Sequence, residues 1–238
     1  MIIDVGKKYN ERNLRYMRQF YELFSSIKWI PLGSKLSWSH YRELLILNDT
    51  NEIMYYINLV CKQNLTKKQL HDVIKSNEYN RLSIETKNKI INSEKLVVSD
   101  IVPNPILIND SKDYDKFSEY ALKELILNNL DEFLSQLGYG FSYVGNEYKI
   151  KFENKYNYID LLLFNIEYNC FVVIELKVTE LKKEHVGQIQ VYMNYIDKNI
   201  KKDYQDKTIG IIICKREDKF VIEYCSDERI AVREYELV

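Results

Sequence analysis

The stretch Phe171-Val172-Val173-Ile174-Glu175-Leu176-Lys177-Val178 decides the fold of the second half of this 238-residue chain. The run is apolar and β-branched, which is typical of a central strand buried on both faces. Two of its side chains, Glu175 and Lys177, are nevertheless charged, and because strand side chains alternate they point to the same face. Burying charges costs free energy unless the groups pair or bind a metal ion. The run therefore predicts a buried strand whose two charges have a compensating partner.

A third charge lies in the preceding apolar run, residues 156–165, which contains Asp160. Residues 166–169 separate the two runs like a hairpin turn, and antiparallel pairing then places Asp160 opposite Glu175 and Lys177. Two carboxylates beside a lysine form a hard-oxygen site of the kind that Mg²⁺ or Mn²⁺ prefers. A metal there would polarise a phosphate, and Lys177 would hold the attacking water or stabilise developing charge. A structural salt bridge is the alternative, but the cost of three charges on two buried strands favours the metal site.

The sequence pattern changes near Pro103 and Pro105, which predicts two domains. We predict a helical domain over 1–95, a linker over 96–115 and a mixed α/β domain over 116–238, in which helices cover a sheet. The α/β domain is predicted to contain a helix over 117–137, strands over 141–150, 156–165 and 170–178, a helix over 179–199, and strands over 208–214, 220–224 and 229–235. The helical domain is predicted to contain an apolar stripe from Leu14 to Phe24 and helices capped by Ser37, by Asp49 or Thr50, and by Thr66.

Composition and charge describe an ordinary globular protein, with 46% hydrophobic and 29% charged residues. These values exclude a disordered or collagen-like chain, and the apolar runs are far shorter than the roughly 20 residues of a membrane helix. The four cysteines contain no CxxC pair, and three of them lie in apolar, strand-like runs, so we expect those three to be buried free thiols in a cytoplasmic setting. Residues 1–100 contain 16 Lys and Arg against 11 Asp and Glu, and residues 101–238 contain 18 against 24. The basic first part weakly favours an anionic partner.

Further polar groups lie on the predicted helices of the second domain. Glu119 shares a helix face with apolar residues, so it is a candidate metal ligand or water-positioning acid; a helix N-terminal acid explains it nearly as well. Gln188 and Tyr192 are i, i+4 neighbours that can orient phosphate or the catalytic groups, and an ordinary amphipathic helix is their alternative. We interpret His185 as a surface histidine.

The order of Asp160 and Glu175-x-Lys177, between a helix with Glu119 and a helix with Gln188-x-x-x-Tyr192, resembles the PD-(D/E)XK nuclease superfamily and its RecB-like branch. Longer segments resemble the bacterial YhcG-type PD-(D/E)XK nuclease-domain family: Phe133-Leu134-Ser135-Gln136-Leu137-Gly138-Tyr139-Gly140-Phe141, Tyr158-Ile159-Asp160-Leu161-Leu162, Ile174-Glu175-Leu176-Lys177-Val178 and Gly187-Gln188. Asn13-Leu14-Arg15-Tyr16-Met17-Arg18-Gln19-Phe20-Tyr21 and Leu36-Ser37-Trp38-Ser39-His40 resemble the N-terminal domain of that family.

The resemblance implies a restriction-endonuclease-like mixed sheet flanked by helices, behind an N-terminal helical domain. It implies a metal-dependent nuclease with Mg²⁺ or Mn²⁺, in which Asp160, Glu175 and Glu119 are metal ligands and Lys177 is the catalytic lysine. The partner would be nucleic acid, DNA by analogy with the superfamily, and a homo-oligomer is a further expectation.

The basic residues Arg15, Arg18 and Arg42 are candidate phosphate contacts in the helical domain, and solvated helix faces explain them equally well.

A module that binds nucleic acid or assembles without cleaving it is the alternative function. Two departures from the family motivate it. Relatives carry more helical sequence before Asn13, and they often have Gly-Arg-Gln where this chain has Gly145-Asn146-Glu147. A purely structural α/β scaffold is a third interpretation.

Overall fold

The computed structural model describes residues 10–25, 35–109, 118–152, 155–225 and 227–238. The chain divides after Asn80 into two compact units, residues 1–80 and 81–238. The first unit contains α1 (Glu11–Phe24), α2 (Trp38–Leu44), α3 (Thr50–Gln63) and α4 (Lys67–Lys75), and α5 (Glu78–Arg81) spans the division in sequence. The second contains α6 (Ile84–Ile91), α7 (Val98–Ile101), β1 (Ile106–Ile108), α8 (Glu119–Asn128), α9 (Leu130–Leu137), β2 (Phe141–Phe152), β3 (Lys155–Asn165), β4 (Cys170–Leu176), α10 (Lys183–Asn199), β5 (Ile209–Cys214), α11 (Lys219–Cys225) and β6 (Ile230–Leu237).

The N-caps predicted for three helices of the first unit are present in the structure, whereas Asn10, the N-cap of α1, was not predicted. Ser37 precedes α2 and Asp49 precedes α3. Thr66 and Gln69 form a capping box at the start of α4. The apolar stripe of α1 is buried mainly at its end, because Phe24 is buried whereas Leu14 is exposed.

The division of the chain comes earlier than the boundary predicted from the prolines. The predicted linker, 96–115, contains α7 and β1 and belongs to the second unit as far as the structure describes it. The reason is strand pairing: β1 is parallel to β6, with Ile106 opposite Tyr235. A backbone hydrogen bond from Asn104 N–H to the Arg81 carbonyl also ties this segment into the second unit.

The second unit is built on a mixed sheet that, in the described residues, contains six strands in the order β1-β6-β5-β4-β3-β2. The strands β4, β5, β6 and β1 are parallel to one another, whereas β3 is antiparallel to β4 and β2 is antiparallel to β3. Helices lie on both faces, which confirms the predicted fold class. Alternation along β4 divides its apolar residues: Val172 and Ile174 pack with α8 and α9, while Val173 packs with α10.

Two predicted elements differ from the structure. The helix predicted over 117–137 is two helices, because Asn129 leaves helical geometry (φ −125°, ψ 42°) and its side-chain amide donates to the Leu125 carbonyl. Asn side chains compete in this way with the helical backbone. Phe117 lies outside the described residues.

The strand predicted over 220–224 is wrong, because these residues lie in the helix α11. The strands β5 and β6 are parallel, so the chain between them must return to the other end of the sheet, and such crossovers are usually helical. A short apolar run does not by itself distinguish a strand from a helical segment.

Cys170 and Cys214 are buried free thiols, as expected, and Cys61 is one as well. The side chain of Cys225 lies outside the described residues. Every helix in the described ranges falls short of the length and apolarity that a membrane span requires.

Gly210 on β5 allows α10 to approach the sheet. A Cβ at this position would lie 2.6 Å from Met193 Sδ and 2.9 Å from Ile189 Cδ1, and both of these side chains are fully buried.

We therefore expect Gly210→Ala to lower the free energy of unfolding by about 1–3 kcal/mol, the usual cost of overpacking, measured by urea denaturation. Gly187→Ala is the control, because a Cβ on this α10 residue has no neighbour within 4 Å in the described chain. It should be neutral or stabilise by up to about 1 kcal/mol. Equal effects of the two substitutions would contradict this account of the packing.

Candidate active site

The charged residues of the apolar strands meet where β3 and β4 lie side by side. The antiparallel register pairs Leu161 with Ile174, and continuing it by one residue sets Asp160 opposite Glu175. The backbone N–H of Leu176 donates to Asp160 Oδ2 at 2.9 Å. This hydrogen bond fixes the Asp160 carboxylate beside the end of β4, so the two acidic side chains share one site.

Lys177 provides the positive charge of this site. Its Nζ donates to Glu175 Oε1 at 2.8 Å and lies 3.5 Å from Glu119 Oε2. Glu175 and Lys177 are only 2% and 8% exposed, so this ion pair is buried. Glu119 is the first residue of α8, and its side chain is 47% exposed. Glu119 thus lies at the N-terminus of a helix and contacts the charged cluster through Lys177, and its role as a metal ligand or water-positioning acid stays a prediction.

The second oxygen of the Glu175 carboxylate, Oε2, is buried and has no hydrogen-bond partner among the described residues. An unsatisfied buried acceptor costs about 1–3 kcal/mol, and more when it is charged. Such groups in a folded protein call for an explanation, and a bound ion is one of the usual ones. Glu175 Oε2 is therefore the oxygen at which a cation would be most stabilising.

The pKa values of the three groups reflect their burial and their mutual charges. Burial raises the pKa of Glu175 to about 7, the negative charge of Asp160 adds to this effect, and Lys177 opposes it. Burial also raises the pKa of Asp160, against the hydrogen bond from Leu176 N–H and the charge of Lys177. For Lys177, burial acts to lower the pKa, but the hydrogen bond and charge of Glu175 outweigh it, and the pKa is raised. Lys177 is therefore an ammonium ion at neutral pH.

The donor set fits a hard divalent cation held by two carboxylates. Within the described part of the chain, no group of three or more His, Cys, Asp or Glu side chains is arranged to hold a metal ion, so the predicted trio of Asp160, Glu175 and Glu119 is not preformed. Mg²⁺ needs less, since it usually keeps several waters and takes one or two carboxylates from the protein. Asp160 and the unpartnered oxygen of Glu175 meet that requirement.

Gln188 and Tyr192 of α10 form the pair predicted from their spacing. Gln188 Nε2 donates to the Tyr192 hydroxyl oxygen at 3.0 Å. Tyr192 is buried among the α10 core residues. Burial raises its pKa, and the charges of Glu175 and Asp160 contribute. The Tyr192 hydroxyl is therefore protonated at neutral pH and lies within electrostatic reach of the two carboxylates.

Lys123 lies near the site and was not predicted from the sequence, and His185 differs from its interpretation as a surface residue. Lys123 lies one turn after Glu119 on α8, its side chain is 12% exposed, and its Nζ donates to Glu147 Oε1 at 2.6 Å. The charge of Lys123 also acts on Asp160. The i, i+4 spacing from Glu119 was the sequence signal that could have found it. His185 is half-buried rather than on the surface, and burial and the charge of Lys177 lower its pKa.

The three arginines predicted to contact nucleic acid lie on helices of the first unit. Arg15 pairs with Glu11, and Arg18 pairs with Glu22 at 3.5 Å, both at exposed i, i+4 positions. The guanidinium carbon of Arg42 lies 5.0 Å from the centre of the Tyr16 ring. Their role in nucleic-acid binding stays a prediction.

Comparison of the sequence with protein families identifies both parts of the chain. The model of the YhcG PDDEXK nuclease domain matches residues 100–238, more than half of the chain. The model of the DUF1016 N-terminal domain matches residues 2–81.

Among curated proteins, the chain is similar to "Putative nuclease YhcG" of Escherichia coli (strain K12), with 23% identity over 242 aligned residues. The match covers 87% of this chain and 64% of the relative, so the chain spans less than two thirds of that protein's length.

Among solved structures, the chain is similar to a repair endonuclease from Pyrococcus abyssi, with 19% identity, 54% of this chain and 49% of that chain covered, and a TM-score of 0.35. It is also similar to EndoMS in a complex with double-stranded DNA, with 20% identity, 52% and 48% covered, and a TM-score of 0.36. These TM-scores are low, so the assignment to a family depends on the sequence match.

The pKa of Glu175 predicts how stability depends on pH in protein freed of divalent ions by EDTA. The folded-state value of about 7 lies above the ordinary value of 4.5, so ionisation of Glu175 destabilises the folded protein. This contribution to stability is fully present below about pH 4.5 and is lost as the pH rises through about 7. Relative to the parent, Glu175→Gln should therefore gain about 3 kcal/mol in the free energy of unfolding between about pH 4.5 and about pH 8. Urea denaturation at the two pH values measures the difference, and a pH-independent difference would show that Glu175 ionises normally.

Proposed function

Because the chain belongs to the YhcG PDDEXK nuclease domain family, we propose that it is a metal-dependent nuclease that hydrolyses phosphodiester bonds of DNA. The observation that carries the proposal is the buried cluster of Asp160, Glu175 and Lys177, with one Glu175 oxygen unpartnered among the described residues. A buried cluster with a strongly raised carboxyl pKa is typical of functional sites.

Asp160 and Glu175 are the residues that would hold Mg²⁺ or Mn²⁺. The ion would neutralise charge on the phosphoryl oxygens and lower the pKa of a water molecule. The carboxylates keep their places without it, since the Leu176 N–H holds Asp160 and the Lys177 ammonium holds Glu175. Direct coordination by Glu119 remains a prediction; its contact with Nζ supports a role in positioning Lys177.

Lys177 acts as a fixed positive charge. Because its pKa is raised, it does not accept a proton at neutral pH and is unsuited to be the general base. A preorganised ammonium in a buried site stabilises the negative charge that develops on the phosphoryl group, without reorganisation during the reaction. Gln188, held by the Tyr192 hydroxyl, offers an amide to orient the phosphate or the water.

A nucleic-acid-binding module without cleavage is the second candidate. The 2.8 Å ion pair between Lys177 and Glu175 favours this module, because the ion pair already compensates half of the acidic charge of Asp160 and Glu175.

The cytoplasmic setting that we propose agrees with the buried free thiols Cys61, Cys170 and Cys214.

Cleavage assays separate the two functions. With Mg²⁺ or Mn²⁺, we expect the parent to cut plasmid or linear DNA and to stop when EDTA is added. Asp160→Ala and Lys177→Ala should each lower the rate by about 100-fold or more, because the first would remove a ligand of the ion and the second removes a positive charge that stabilises the transition state. Asp203→Ala is the matched control, since Asp203 is exposed, and it should cut like the parent. Equal background in all four proteins would support the binding module.

Metal binding gives a readout that does not depend on activity. Calorimetry at about pH 8 should show Mn²⁺ binding to the parent, and Glu175→Gln should weaken it by about tenfold or more. Glu228→Gln removes an exposed carboxylate and should leave it unchanged. Affinity should fall toward about pH 6, because protons compete with the metal for Glu175. Unchanged affinity in Glu175→Gln would support a structural ion pair.

A further inference from the structure

The hairpin of β2 and β3 presents lysine and tyrosine side chains on one face. The register pairs Lys149 with Tyr158 and Lys151 with Tyr156, so these four side chains, which we call the hairpin face, lie on the same side of the two strands. Tyr156 and Tyr158 are each 52% exposed, and both lysines are exposed.

The opposite side of the hairpin is anchored in the core. Ile150 and Ile159 are buried in the cluster that α10 completes, and the ring of Phe152 lies 5.1 Å from the ring of Tyr195 on α10. The hairpin face is therefore supported by the core on its other side, and about half of each of its tyrosine side chains is accessible to solvent.

The hairpin face begins beside the active site. Tyr158 lies two residues before Asp160, and Lys149 lies two residues after Glu147, whose carboxylate binds Lys123. Two residues of strand span about 7 Å. A ligand held on the face would thus lie about two residues along the strand from the position of Asp160.

The charge of the hairpin is opposite to that of its surroundings. Residues 148–159 contain three lysines and one glutamate, whereas residues 101–238 as a whole have six more acidic than basic residues. The ammonium of Lys149 lies 3.8 Å from the centre of the Tyr156 ring, and that of Lys151 lies 5.9 Å from it. Tyr156 thus orders both lysines, which lowers the entropy cost of contacting an anion.

We propose that the hairpin face binds an unpaired strand of nucleic acid, with Lys149 and Lys151 on its phosphates and Tyr158 stacked on a base. This inference rests on the proposed function and specifies how the substrate is held next to the cleavage site. A basic surface with aromatic rings is the usual platform for single strands, because every base has a π face that can stack. Lysines on an edge strand also prevent sheet-to-sheet association, but that role does not require exposed tyrosines beside them.

The test is equilibrium binding of the full chain in EDTA, followed by the fluorescence anisotropy of a labelled single-stranded oligonucleotide and of the duplex made from it. We expect the parent to bind the single strand more tightly. Lys149→Gln/Lys151→Gln should reduce the slope of log K against log salt by about 1.4, because each lost phosphate contact on a single strand accounts for about 0.7. Tyr158→Thr, which keeps a β-branched residue in the strand, should weaken single-strand binding by about 5- to 100-fold.

The matched controls lie at and beyond the far end of α10. Lys198→Gln/Lys202→Gln removes the same charge from exposed positions, and Tyr204→Thr removes a ring that is 76% exposed. These variants should bind like the parent, and thermal melting should confirm that all variants are folded. The proposal is overturned if the parent does not bind, if the hairpin variants bind like the parent, if the controls lose as much affinity, or if the duplex binds more tightly than the single strand.

The cleavage assay separates failure of this inference from failure of the proposed function. If the parent cuts DNA and the hairpin variants bind and cut normally, only the proposed role of the hairpin face is overturned. If the parent binds through the hairpin face but does not cut, the proposed role of the face is supported and the proposed nuclease function is overturned.

Discussion

The contact between the Lys177 ammonium and the Glu175 carboxylate, 2.8 Å long and buried, is the interaction on which the site depends. One ammonium is opposed by two carboxylates, Glu175 and Asp160, and by the partly exposed Glu119. The cluster therefore lacks positive charge, and the raised pKa of Glu175 expresses that deficit. At low pH, a proton on Glu175 removes the excess negative charge. At neutral pH, a divalent cation would balance that charge and leave both carboxylates ionised. This balance explains why a cluster that is costly for folding is suited to binding metal and phosphate together.

The surrounding fold makes the cluster rigid. The strand β4, which carries Glu175 and ends directly before Lys177, is covered on one face by α8 and α9 and on the other by α10. The two helices that border the cluster also contribute to it: α8 begins with Glu119, and α10 carries Gln188 and Tyr192. The close packing of α10 at Gly210 fixes the distance between the helix and the sheet.

The centre of the site could be predicted from the sequence because strand alternation and a short hairpin leave few arrangements. Asp160, Glu175 and Lys177 follow from period-two geometry and one turn, and Gln188 and Tyr192 follow from helical spacing. Helical spacing from Glu119 could also have indicated Lys123, but its ion pair with Glu147 could not be predicted, since Glu147 is distant in sequence and lies in left-handed geometry at φ 45°. The helix α11 depends on the parallel direction of β5 and β6, and the break at Asn129 depends on a local side-chain hydrogen bond. Hydrophobic periodicity gives information on neither. The extent of the second unit was missed because β1 pairs with β6 at the far end of the sequence.

The central claim is that Asp160 and Glu175 exist to bind a divalent cation beside Lys177. A crystal structure of the protein soaked in Mn²⁺, with data collected for anomalous scattering, tests it most directly. The account predicts an anomalous peak within coordination distance of the Asp160 carboxylate and of Glu175 Oε2, with Lys177 still beside Glu175. Anomalous density elsewhere, or an Asp160 side chain turned away from Glu175 with no ion between them, would contradict it.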